Sequence, residues 1–69
     1  MLFSYNKLKG RIVEVFGSQS EFSKRIGLSE QSVTAKLAGR SRFSQNDIIK
    51  WCEALGIDQN EIGLYFFAH

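Results

Sequence analysis

QSEFSKRIGLSEQSVTAKL, running from Gln19 to Leu37, holds two apolar pairs at helical spacing on either side of one glycine. Phe22 and Ile26 stand four apart before Gly27, and Val33 and Leu37 stand four apart after it. Such spacing puts each pair on one face of a helix. Gly27 lacks a Cβ and takes positive φ without strain, so the chain can fold back there. Leu28 closes the apolar seam between the two halves, and Ser23 is small enough to let them approach. The segment predicts two short helices, about Gln19 to Ile26 and about Glu30 to Ala38, joined by a tight turn.

The same punctuation recurs outside this segment. Ser18, Ser44 and Asp58 each precede an acidic residue three places on (Glu21, Asp47 and Glu61), and Ser29 precedes Ser32. A cap oxygen of this kind accepts from the orphan N–H groups of a helix start, and the acidic residue can reach back. Gly17, Gly27, Gly39 and Gly56 supply the stops. Three further helices follow: about Asn6 to Phe16 with Leu8, Ile12, Val15 and Phe16 inward; about Gln45 to Leu55 with Ile48, Ile49, Trp51, Cys52 and Leu55; and about Gln59 to Phe66 with Ile62, Tyr65 and Phe66. Strand alternation is nowhere sustained. The expected fold is all-α, five short helices in one domain over residues 1–69.

A chain of 69 residues has room for one small core. The single Cys52 has no internal partner for a disulfide and reads as a small buried hydrophobe, pointing to a reducing compartment. No charged-then-apolar leader and no membrane-length apolar run appears, so a soluble cytoplasmic protein is expected. The net charge is only +2, but it is unevenly spread. Up to Arg42, eight basic residues face three acidic ones; from Phe43 onward, one basic residue faces four acidic ones. One face should attract a polyanion and another turn away from it. His69 is the only histidine, and no metal-ligand spacing or phosphate-cradling glycine loop is present. No enzyme activity, metal, cofactor or small-molecule ligand is expected.

Two helices meeting through a glycine turn form the helix-turn-helix unit. On Gln19, Ser23, Gly27 and Val33 the segment resembles the lambda-repressor-like family, the Cro and repressor regulators of temperate phages and their bacterial relatives. The five-helix order and length extend the resemblance over nearly the whole chain. It implies a Cro-like repressor that binds a pseudo-palindromic DNA operator as a dimer in a bacterial or phage-infected cell. Two positions depart from the family pattern. Ser23 replaces a more usual alanine, and Lys36 stands where many members place a core hydrophobe, with Leu37 one step later.

The outer face of the second helix of this unit carries Glu30, Gln31, Thr34 and Ala35, with Ser32 at its flank. Gln31 suits paired hydrogen bonds to adenine, Glu30 suits cytosine N4, and Thr34 and Ala35 suit a thymine methyl. These five residues are the expected base readers. Phosphate contacts are expected from Gln19 at a helix start and from Lys36, Arg40 and Arg42 around the GRSRFS loop. Lys7, Lys9 and Arg11 are further candidates for a neighbouring phosphate. The aromatic end, Leu64, Tyr65, Phe66 and Phe67, exceeds what one small domain readily buries. A homodimer contact is expected there; some of these side chains could instead pack beside Leu2, Phe3 and Tyr5. The rival reading is a protein-interaction module, antitoxin-like or antirepressor-like, that uses this aromatic end.

Overall fold

The computed structural model describes residues 5–67, and every regular element among them is helical. Helix α1 spans Asn6–Phe16, α2 Gln19–Ile26, α3 Glu30–Leu37 and α4 Gln45–Leu55. The chain then makes a 3-10 turn at Gln59–Glu61 that widens into a π-helical turn at Gly63–Phe67, together called α5 here. The five-helix, all-α expectation holds. The described residues contain no helix long and apolar enough to cross a membrane.

Caps set the boundaries. Ser18, Ser29 and Ser44 accept from the backbone N–H groups of Glu21, Ser32 and Asp47 at 3.0–3.1 Å. The reciprocal bond forms only at Ser44–Asp47 and Asp58–Glu61. Glu21 turns instead to Lys24, 3.4 Å away on the next turn of the helix. Gly27 has φ +76, and the N–H of Leu28 returns to the Ser23 carbonyl at 3.0 Å, so α2 ends in a left-handed turn and α3 begins three residues later. Ser23 is buried and its hydroxyl donates to the Ser20 carbonyl at 2.8 Å, so the polar atom it brings into the α2–α3 seam is met.

The core gathers Leu8 and Ile12 of α1, Phe22 of α2, Val33 and Leu37 of α3, and Trp51, Cys52 and Leu55 of α4, with Ile57 and Phe66. A row of rings ties these elements together. Phe16 meets Phe22, Phe22 meets Trp51, Trp51 meets Phe43 and Phe43 meets Phe66, with centroids 4.8–5.3 Å apart. The Phe16–Phe22 pair is tilted and the other three are edge-to-face, and aromatic pairs of this kind add about 0.5–1.5 kcal/mol each beyond the area they bury. Val15 and Ile49, expected inward, are 44% and 49% exposed, because their neighbours Ile12, Phe16 and Cys52 already occupy the inward stripe.

The end of the chain differs from expectation in helix type. Leu64, Tyr65, Phe66 and Phe67 cannot all reach a core of this size. The wider turn accompanies the burial of Phe66 (2% exposed) against Phe43, while Leu64 and Phe67 stay outside. Packing of Tyr65 or Phe67 beside Leu2 or Phe3 lies outside the described residues. Arg11 is also reassigned. Its guanidinium donates to the carbonyls of Leu55 and Gly56 at 2.9 and 3.3 Å, so it caps the end of α4 and is not available to a phosphate.

Candidate nucleic-acid interface

Val33 and Leu37 turn inward, and that fixes which face of α3 is wet. Glu30, Gln31 and Thr34 are exposed; Ser32 and Ala35 are half-buried. The Ser29 hydroxyl holds the helix start, accepting from the Ser32 N–H and lying 3.1 Å from the Ser32 hydroxyl. Ser32 is thereby committed to the cap, which lowers its freedom to read a base. The Glu30 carboxylate accepts from the Ser20 hydroxyl of α2 at 3.3 Å, bracing the start of α3 and placing a negative charge where the helix dipole favours one. Among the described residues, the Gln31 and Thr34 side chains have no such tether.

The exit of α3 is wound tightly. Ala38 N–H returns to Thr34, and the N–H groups of Arg40 and Ser41 both return to the Ala35 carbonyl, at 2.9–3.2 Å. Gly39 makes this possible with φ +81. Arg40 and Arg42 lie exposed on the resulting loop, and their guanidinium groups form no ion pair among the described residues. Gln19 sits half-buried at the first position of α2. The structure thus brings Gln31, Thr34, Arg40 and Arg42 to α3 and the loop that follows it.

Lys36 does not join them as a free cation. Its ammonium is turned inward to the Asp47 carboxylate on the first turn of α4, 2.9 Å away, and also donates to the Arg42 carbonyl at 3.0 Å. It lies 5.7 Å from the centroid of the Phe43 ring, and its side chain is only 12% exposed. The expected phosphate contact is therefore replaced by an internal one. The rotation of α3 turns this lysine toward the body, where its ammonium needs a carboxylate, and Asp47 supplies it.

Burial of Asp47 by itself pushes its carboxyl up. The hydrogen bonds from Lys36 and from Ser44, with the Lys36 charge, outweigh that and hold it below the ordinary carboxylate value. A native value below the unfolded one stabilises the fold above the ordinary aspartate range, and this contribution is lost as pH falls through the native value. Asp47→Asn should thus cost about 1–2 kcal/mol near neutral pH in urea unfolding. The gap to the parent should close as acid protonates Asp47; a gap constant down to the acid limit would contradict this.

The aromatic end is likewise divided. Phe66 belongs to the protein's own core and leaves the expected dimer contact. Tyr65 is half-buried, with the Lys7 ammonium 5.8 Å from the centroid of its ring. Leu64 and Phe67 remain 50% and 57% exposed.

The family model described as "Protein of unknown function (DUF739)" matches residues 1–69. The chain is also similar to the solution structure of the modulator of repression (MOR) of the temperate bacteriophage TP901-1 from Lactococcus lactis. The two share 33% identity over 100% of this chain and 97% of that one, with a TM-score of 0.86. No curated protein matches the chain.

Proposed function

The chain belongs to the DUF739 family, and from that premise we propose that it is a phage-type regulator of transcription that engages duplex DNA through α3. One observation carries the reading. A short helix presents untethered Gln31 and Thr34, and the loop leaving it presents Arg40 and Arg42, all free of internal ion pairs among the described residues. Neutral polar side chains that can read base edges, next to cations that can meet phosphates, are the division of labour a major-groove helix requires. Similarity to a modulator of repression supports a place in a repression circuit. The Cro-like form of the reading adds a pseudo-palindromic operator and a two-fold dimer. Selection of bound duplexes from a random pool tests it: a symmetric enriched site supports the reading, and no enrichment over the input removes it.

Gln31→Ala should cost on the order of 1–3 kcal/mol of specific binding and relax preference at one base pair. Competition titrations with single-base operator variants read this out. An unchanged preference at every position would strike Gln31 from the base-reading set.

A second reading rests on Leu64 and Phe67. Both side chains are exposed on α5, and Phe67 lines a groove with Arg42, Phe43, Ile48 and Phe66. Apolar groups in this arrangement suit a protein contact, either a second copy of the chain or a repressor-type partner. Phe67→Ala should shift sedimentation toward monomer if the second copy is the occupant. A dimer of unaltered strength would place the contact elsewhere.

A further inference from the structure

Among the described residues, three ion pairs form, and only Lys36–Asp47 joins two helices; the other two are one-turn pairs on α1 and α2. The structure assigns this pair a positioning role, and the assignment rests on the DNA reading above: Lys36 and Asp47 aim the Arg40–Arg42 loop at the duplex that α3 enters.

One ammonium grips the Asp47 carboxylate, the Arg42 carbonyl and the face of Phe43. The same Asp47 oxygen accepts from the Ser44 N–H at 2.9 Å, which anchors the far end of the loop. At the near end, Arg40 and Ser41 are bound to the Ala35 carbonyl. The backbone between α3 and α4 is thus clamped at its start, at Arg42 and at Ser44. The two guanidinium groups are the charged side chains of that loop left to project.

Stability alone is a poor explanation for this arrangement. A largely shielded ion pair is often replaced by apolar groups of similar size at little or no cost to the fold. A methionine at position 36 would extend the apolar row of Val33 and Leu37 and keep contact with Phe43. What it could not do is hold the Arg42 carbonyl. The chemistry that a lysine adds here is directional, and its direction is toward the loop.

The double variant Lys36→Met/Asp47→Asn separates the two roles. It should stay folded by circular dichroism, with faster backbone motion at Arg40–Phe43 in nitrogen-15 relaxation. Its binding to a short fluorescein-labelled duplex of mixed sequence at low salt should weaken about tenfold. In an Arg40→Ala/Arg42→Ala background the same change should cost less than about twofold, because the aimed groups are gone. Lys36→Arg, which keeps the cation, should bind much as the parent does and guards against a misfolded methionine variant. Undiminished binding by a folded double variant overturns the assignment while leaving the DNA reading intact. A loss equally large without the arginines overturns it too, since Lys36 would then touch DNA directly. A parent chain that binds no duplex overturns the DNA reading and the assignment with it.

Discussion

Phe22→Ala should destabilise the domain by about 3–5 kcal/mol, among the largest effects expected of a single change. Phe22 is fully buried, and its ring sits between those of Phe16 and Trp51, at 5.3 and 4.8 Å. Truncation removes the transfer energy of the ring, opens a cavity where α1, α2 and α4 meet, and breaks two ring contacts at once. Small domains have stabilities of roughly 5 kcal/mol at the low end of the usual range, so the variant should be largely unfolded at 37 °C. Thermal and urea unfolding followed by circular dichroism read this directly. Phe67→Ala is the matched control, since that ring is 57% exposed and its loss should change stability by less than about 0.5 kcal/mol. Equal effects at the two positions would mean that the ring row is not the spine of the fold.

Arg40→Ala/Arg42→Ala should give the second large effect, this time on binding. Both side chains are exposed and free of ion pairs among the described residues, so the fold should not feel their loss. Duplex affinity should fall on the order of tenfold to a hundredfold at moderate salt, about equally for all sequences. The slope of log affinity against log salt should flatten by about two for each protomer bound, one for each phosphate no longer neutralised. A loss confined to particular base positions would make the arginines base readers. An unchanged slope would remove them from the interface.

The helices were legible because their caps and stops are local chemistry. Ser18, Ser29 and Ser44 announce starts, and Gly17, Gly27 and Gly56 announce ends. The inward faces of α2 and α3 were legible for the same reason, since a four-residue spacing is enough to orient so short a helix. Lys36, Arg11 and Phe66 were harder. Each found its partner far along the chain: Asp47 for Lys36, the Leu55 and Gly56 carbonyls for Arg11, and Phe43 for Phe66. Charge counting treats every cation as available to a polyanion. Packing decides which of them have already been claimed, and it left Arg40 and Arg42 while taking Lys36 and Arg11. The aromatic end misled in the opposite sense, because a run of four large side chains reads as a surplus until one of them turns in.

Nitrogen-15 chemical-shift mapping of the intact chain with a duplex selected from a random pool tests the central claim most directly. The account predicts the largest shifts at Glu30, Gln31, Thr34, Arg40 and Arg42, with Leu64 and Phe67 changing only if a dimer forms on the DNA. Shifts gathered at Leu64 and Phe67 with α3 silent, or no shifts with any duplex, would contradict it.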